Sequence, residues 1–168
     1  MMSNTLRGRA WKFGDDISTD HIAPGRYFHL RSNLPELTKH VLEDAREDFA
    51  KNVLPGDFVV SGENFGLGSS REHAPTIIKL AGVSAVLAKS FARIFFRNAV
   101  NIGLPVIMLD TSNISEGDQL DLDLENGILK NLTKARESSF RPMSAEMMKI
   151  LSDGGLVEHI RKHGEIKL

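Results

Sequence analysis

The chain contains no cysteine. That excludes disulfides, a thiol nucleophile, and thiolate ligation of zinc or of an iron–sulfur cluster by this chain. It is compatible with a reducing cytosol. An excess of one charge sign is missing too: 21 Lys and Arg stand against 22 Asp and Glu, a formal net charge of −1. The basic residues are scattered, and aromatic residues make up only 7% of the chain. Neither a basic face nor a basic–aromatic platform is offered to nucleic acid. No apolar run approaches the roughly eighteen residues of a membrane span. The first residues, MMSNTLRGRAWKFGDD, carry no apolar core of a signal peptide. Internal repeats, low-complexity stretches and linkers are absent. A cytoplasmic protein with neither nucleic-acid nor membrane partners is expected.

What remains is ordinary for a globular chain. Its 168 residues, 41% hydrophobic and 26% charged, suffice for one good core and not for two. Leu6–Phe13 reads as a short strand, closed by a turn at Gly14-Asp15-Asp16. Ile17 to Asn33 has no clean period and holds Asp20, His21, Arg26, His29 and Arg31. It reads as a long polar loop without apolar contacts of its own, mobile in the isolated chain. Leu34 to Val53 carries apolar residues at helical spacing, with Pro35 in the first turn. Phe58-Val59-Val60 is a buried strand. Thr76 to Ala81 is helical, with Ile77, Ile78 and Leu80 inward and Gly82 as its cap. Ser84 to Ala88 and Leu104 to Leu109 are further buried strands. Between them Ser90 caps a helix in which Phe91, Ile94 and Phe95 are packing residues. This alternation of strand and helix suggests parallel crossovers. Gln119–Leu124 and Gly127–Leu132 form a hairpin about Glu125-Asn126-Gly127. Ser144 caps a last helix that ends at Gly154-Gly155, and Leu156–Leu168 reads as a polar tail containing His159 and His163. The fold class is α/β: a single compact domain with a mixed sheet and an added antiparallel hairpin.

Chemistry concentrates in Gly62 to Pro75, GENFGLGSSREHAP. Glycine lets a backbone approach a ligand closely. Ser69 and Ser70 offer hydroxyls, Arg71 offers a guanidinium that forks onto carboxylate, and the following helix presents free N–H groups. A plain glycine-rich turn before a capped helix is the bland alternative. Gly62, Gly66 and Gly68 exceed what one turn requires, and the paired hydroxyls stand where a helix dipole favours negative charge. Neither a Walker A lysine nor a GxSxG pattern is present. The stretch reads as a site for an anionic substrate at a helix entrance. Pro75 removes the hydrogen bond that a regular helix would give the Arg71 carbonyl, so the helix starts near Pro75 or its first turn is irregular. Elsewhere, Asp20 and His21 are adjacent, and a carboxylate can fix an imidazole tautomer. His29 and His40 read as surface or core histidines. Arg93 and Arg97 share a helix face and point either toward an anion or toward solvent.

Three stretches, GDDISTDHIAPGRY, GENFGLGSSREHAP and AGVSAVLAKSFARIFFRNAVNIGLPV, occur in this order. They resemble the small subunits of 3-isopropylmalate dehydratase and, more widely, the swivel domain of the aconitase family. The resemblance spans most of residues 6–156. It implies a swivel-type domain of three layers, β/β/α, over residues 1–168, with a flexible polar tail from about residue 157. It implies a hydro-lyase that interconverts 2-isopropylmalate and 3-isopropylmalate by dehydration and rehydration, a step of leucine and hence branched-chain amino acid biosynthesis. The family's four-iron, four-sulfur cluster binds the substrate hydroxyl and a carboxylate, and its cysteine ligands sit in a separate large subunit. This chain would then act only in a heterodimer and would hold no metal itself. By the same resemblance Ser69 is the catalytic base, and Ser70 and Arg71 support it and bind substrate carboxylate. Substrate choice falls to the loop after the TDxI motif, here His29-Leu30-Arg31-Ser32, with Arg31 reading the distal carboxylate or bordering it. Asp20 and His21 of that motif are further substrate-binding candidates. Family members often carry Tyr where His29 stands, and many carry Cys where Leu67 stands. Those departures keep the small subunits of homoaconitase and 2,3-dimethylmalate dehydratase as alternatives, and a non-catalytic anion-binding module of the same fold as a third.

Overall fold

In the computed structural model, which describes residues 5–165, the first strand belongs to two sheets at once. Residues 5–9 of β1 (Thr5–Lys12) pair antiparallel with β5 (Gln119–Asp123), and residues 10–12 pair parallel with β2 (Phe58–Val60). On the parallel side, β3 (Ala85–Ala88) and β4 (Val106–Met108) follow. On the antiparallel side, β6 (Ile128–Asn131) and β7 (Arg136–Ser139) follow. The strand order is β4-β3-β2-β1-β5-β6-β7. Helices α4 (His73–Leu80) and α5 (Arg93–Asn101) make the crossovers between β2, β3 and β4, as the alternating pattern predicts.

Strand periodicity explains the layers. Val59, Val86 and Val106 pack with Ile77, Ile78, Phe95 and Ala99 on the helical side. Their neighbours Phe58, Val60, Ala85, Leu87 and Ile107 pack against Leu120, Leu122, Leu124 and Leu129 of the antiparallel half. The central parallel strands β2 and β3 are therefore buried on both faces and read as unbroken apolar runs. In β5, buried leucines alternate with half-exposed aspartates. The sheet curls over itself at β1, giving the expected β/β/α arrangement in a single compact α/β domain. Each fully buried Leu, Val, Ile or Phe contributes about 1.5–3 kcal/mol relative to an exposed one. Among the described residues no helix is long and apolar enough to cross a membrane.

Several expectations need correction. Leu34–Val53 holds two short helices, α2 (Leu34–Thr38) and α3 (Phe49–Asn52), and no continuous one. The chain breaks at Leu42, which has φ of 56° and donates its N–H to the Ile22 carbonyl at 3.0 Å. Val41 and Leu42 are both fully buried, and that tertiary contact overrides helical spacing. Ile17–Asn33 is not devoid of apolar anchors. It forms α1 (Thr19–Ile22) and a 3-10 turn (Gly25–Leu30), buries Ile17, Ile22 and Ala23, and rests Tyr27 and Leu30 on the core. Leu80 and Ile94 do not pack inward; they are 54% and 53% exposed. Ser90 does not cap α5, whose cap position is Ala92. Its Oγ accepts the Asn64 N–H at 2.8 Å and donates to Glu63 at 2.7 Å. Strand β7 has no counterpart in the sequence reading, because all four of its residues are exposed and show no apolar period. After α6 (Ala145–Ser152), capped by Ser144 as expected, the supposed polar tail forms α7 (Leu156–His163). Its inward residue is the fully buried His159, so aliphatic periodicity does not reveal it. Residues 166–168 of that stretch lie outside the described residues.

Candidate active site

The three motif stretches meet for a topological reason. The first two begin just past the ends of β1 and β2, the third runs through β3 and past its end, and these parallel strands are neighbours running the same way. Ligand sites of open α/β sheets lie at such carboxyl ends. The glycine loop after β2 is stitched to the stretches on both sides of it. Toward the first, Ser18 and Leu67 form a bridge, with Thr19 N–H on Leu67 O at 2.9 Å and Gly66 N–H on Ile17 O at 2.7 Å. Toward the other, Phe65 N–H meets Ser90 O at 3.0 Å and Ala92 N–H meets Phe65 O at 2.9 Å. Gly66 has φ of +86°, and a Cβ there would lie 2.3 Å from Phe95 Cγ. The loop can therefore lie flat on α5 over the cluster of Phe65, Phe91 and Phe95, whose Phe65–Phe95 centroids are 5.2 Å apart.

A cavity of about 220 Å³ opens between the loop and α5. Thr19, Gly68, Ser69, Ser70 and Arg71 form one wall, and Ala92, Arg93, Ile94, Phe95 and Asn98 form the other. Several of the groups that line it are hydrogen-bond donors with no acceptor. Among the described residues, the Ser69 and Ser70 hydroxyls, the Arg93 guanidinium and the Asn98 amide make no hydrogen bond or ion pair. The backbone N–H groups of Gly68, Ser69, Ser70 and Arg71 are likewise unpaired there. Thr19 Oγ1 donates to the Ser69 carbonyl at 2.8 Å and so fixes the peptide that carries the Ser69 side chain. Helix α4 starts at His73, and Ala74 N–H takes the Arg71 carbonyl at 3.0 Å, the bond that Pro75 cannot make. The first turn is thus irregular, one of the two outcomes expected of Pro75.

Arg71 is oriented from behind. Its Nη1 donates to Asp20 Oδ1 at 2.8 Å and to the Ala23 carbonyl at 2.6 Å, while Nε and Nη2 make no bond among the described residues. Asp20 also accepts the Gly25 N–H at 2.9 Å. The Arg71 hydrogen bond holds the Asp20 carboxyl below the ordinary carboxylate range. Asp20 and His21, though adjacent in sequence, make no hydrogen bond to each other among the described residues. His21 Nδ1 instead accepts the Ser18 N–H at 2.9 Å, inside the capping box of α1, which leaves the ring proton on Nε2. His73, beside the loop, has its pKa lowered by burial first and then by the charges of Arg71 and Arg31. The local field is therefore positive.

Ser69, Ser70 and Arg71 line one cavity. Arg31 lies on the flank near His73, stacked on the Phe28 ring at 4.2 Å and bonded to the Phe28 carbonyl. His29 and Ser32 are exposed and do not line the cavity. Of the two arginines with open alternatives, Arg93 lines the cavity and Arg97 does not. Thr19 and Asn98 also line it and carry no signal in the sequence; position four before Asn98 is Ile94, and only the fold shows that this face of α5 meets the glycine loop. The lining offers hydroxyl, guanidinium and amide groups and no thiolate, so it does not fit an iron–sulfur cluster as a bound group of this chain.

Fold and cavity together define an α/β domain that presents hydrogen-bond donors and positive charge at the ends of parallel strands. The sequence profile of the Aconitase C-terminal domain matches residues 19–112. The small subunit 2 of 3-isopropylmalate dehydratase from Archaeoglobus fulgidus is 64% identical over 96% of this chain and 98% of its own length. The small subunit 1 from Thermotoga maritima is 65% identical over 95% and 96%. A methanogen homoaconitase small subunit from Methanothermobacter thermautotrophicus is 52% identical over 96% and 94%. The crystal structure of 3-isopropylmalate dehydratase (LeuD) from Methanocaldococcus jannaschii superposes with a TM-score of 0.91, at 43% identity and 95% coverage of each chain. The chain belongs to the Aconitase C-terminal domain family and, within it, to the small subunits of 3-isopropylmalate dehydratase.

Proposed function

We propose that this chain, as one swivel-type domain, is the small subunit of a hydro-lyase that interconverts 2-isopropylmalate and 3-isopropylmalate. The observation that carries the reading is the unengaged Ser69 hydroxyl, held through its own carbonyl by Thr19 and surrounded by unpaired donors. Ser69 Oγ removes the proton from the carbon beside a carboxylate. The electron pair of that C–H bond becomes the second bond of the alkene as the hydroxyl leaves the neighbouring carbon. Addition of water in the opposite sense completes the isomerisation. A proton beside a carboxylate is weakly acidic, so the base has to be strong and close. The Arg71 and Arg93 charges and the Gly68–Arg71 N–H groups favour an oxyanion at Ser69 and a carboxylate on the substrate. Asp20 acts through Arg71, as a positioning residue. Ile94, half exposed beside Arg93, offers an apolar contact to a branched alkyl group and nothing to an additional carboxylate. That favours isopropylmalate over homoaconitate.

In this reading a large subunit supplies the four-iron, four-sulfur cluster, whose chemistry is to hold the departing hydroxyl and a carboxylate. It also excludes water from a site where Ser69 and Ser70 are exposed in the chain alone. The enzyme operates in the cytoplasm. The test is reconstitution with a cluster-loaded large subunit and an assay of isopropylmalate, homoaconitate and 2,3-dimethylmalate. Isopropylmalate should be turned over best, and Ser69→Ala should lower kcat by about 10²–10⁴-fold. Unchanged turnover by the Ser69→Ala complex would remove Ser69 as the base, and preference for homoaconitate would overturn the substrate assignment. Binding of the acids by the lone chain, with no activity in any complex, would favour the non-catalytic module.

A further inference from the structure

The two histidines of the supposed tail are not accounted for by the active site. His159 and His163 lie four residues apart in α7 and share one face. Asp153 ends α6, and the turn Gly154-Gly155, with φ of +94° and +118°, folds it under that face. The turn is itself wedged in place, since a Cβ on Gly155 would lie 2.2 Å from the Asn101 carbonyl oxygen at the end of α5. One carboxylate oxygen, Asp153 Oδ2, stands 2.7 Å from His159 Nδ1 and 3.0 Å from His163 Nε2. All three ligand atoms fall within 4.8 Å of one another. The side chains of His159 and Asp153 are 0% and 7% exposed, while that of His163 is 27% exposed.

We propose that Asp153, His159 and His163 form a zinc-binding site that clips α7 to the end of α6. Two imidazoles and a carboxylate are the donor types that zinc takes, and histidines at i and i+4 are a recurrent helical way to supply two of them. Zinc bonds of about 2.0–2.2 Å in a tetrahedron separate ligand atoms by about 3.3 Å, so the two short contacts widen by about half an ångström as the metal replaces the shared protons. Rotation of the carboxylate and a swing of the part-exposed His163 ring toward His159 supply the required spacing. A cleft lined by Met143, Met148, Asp153 and His163 adjoins the site, and a water entering from it completes the coordination. Lys162 lies 3.1 Å from the other Asp153 oxygen and opposes the cation, but its side chain is 66% exposed and free to swing into solvent. This site is separate from the pocket that carries the proposed hydro-lyase reaction, and neither reading depends on the other.

The experiment uses the full chain stripped with a chelator and titrated with zinc chloride alone by calorimetry and thermal melting, with cobalt absorption as a geometric probe. One zinc should bind per chain, raise the melting temperature and give cobalt a tetrahedral spectrum. His163→Gln, a partly exposed replacement, should weaken zinc binding by about tenfold or more and leave the metal-free melting temperature unchanged. Lys162→Gln should tighten it by removing the opposing charge. A melting temperature indifferent to zinc, or equal zinc affinity in wild type and His163→Gln, would overturn the proposal and leave the cluster as a hydrogen-bonded carboxylate.

Discussion

Replacing Gly66 with alanine tests how the active-site loop is seated. The native backbone has φ of +86°, and the new methyl carbon would lie 2.3 Å from Phe95 Cγ and 2.4 Å from Phe95 Cβ. Left-handed backbone costs an L-residue roughly 1–2 kcal/mol. Overpacking a well-filled core costs about 1–3 kcal/mol more. Phe95 is 2% exposed and is held by Phe65 and Phe91, so it has little room to retreat. The sum is about 2–5 kcal/mol, or roughly 4–20 °C in Tm for a chain of this size. Urea unfolding of the purified chain should show a lower midpoint with an unchanged slope. Gly14→Ala is the comparison, because nothing lies within 4 Å of its Cβ and no unusual φ constrains it; its change should stay within about 1 kcal/mol. Combining Gly66→Ala with Phe95→Ala should cost less than the two separately, by about 1 kcal/mol or more, since the clash disappears with the ring. A Gly66→Ala loss under about 0.5 kcal/mol, or strict additivity with Phe95→Ala, would refute the packing of the loop on α5.

Three other consequences can be measured. Asp57 is buried and accepts from Trp11 Nε1 at 2.8 Å, Leu54 N–H at 2.9 Å and Arg9 Nη2 at 3.2 Å. Asp57→Ala should therefore destabilise by about 3–5 kcal/mol in urea unfolding, and a loss near 1 would show that these donors find other acceptors. His73 has a depressed pKa from burial and from Arg71 and Arg31, so the unfolded chain binds its proton more readily. Stability from this group is full above the unfolded value of 6.5 and falls as pH drops from there toward the folded pKa. An NMR titration should place the His73 midpoint below 6.5, and Arg31→Gln should move it upward; a midpoint at or above 6.5 contradicts the positive field. Thr19→Val keeps shape but deletes the bond to the Ser69 carbonyl. In the reconstituted enzyme it should lower kcat by roughly 2–10-fold with little change in KM, and an effect on KM alone would make Thr19 a substrate contact.

The parallel half of the fold was legible because its strands are apolar on both faces and its helices carry glycine stops at Gly82 and Gly103. The hairpin was legible from alternating leucines. Other elements were hidden where the inward group is not aliphatic or where an exposed edge has no period: α7 buries a histidine, and β7 buries nothing. Between Leu34 and Val53 the spacing was helical, but the bond from Leu42 to Ile22, twenty residues away in sequence, decides the backbone. Such bonds leave no local trace.

In the site, the sequence by itself determined the inventory: two adjacent hydroxyls, a guanidinium and flexible glycines before a helix, in a chain with no thiolate. These follow from residue types within a dozen positions. Their engagement was decided only by tertiary structure. Asp20 takes Arg71 rather than His21, Ser90 braces the loop rather than capping α5, and Arg93 rather than Arg97 reaches the cavity. Each choice depends on what the carboxyl ends of β1, β2 and β3 bring side by side. Parallel pairing across crossovers sets that adjacency, joining residues far apart in sequence whose mutual distance no local periodicity encodes.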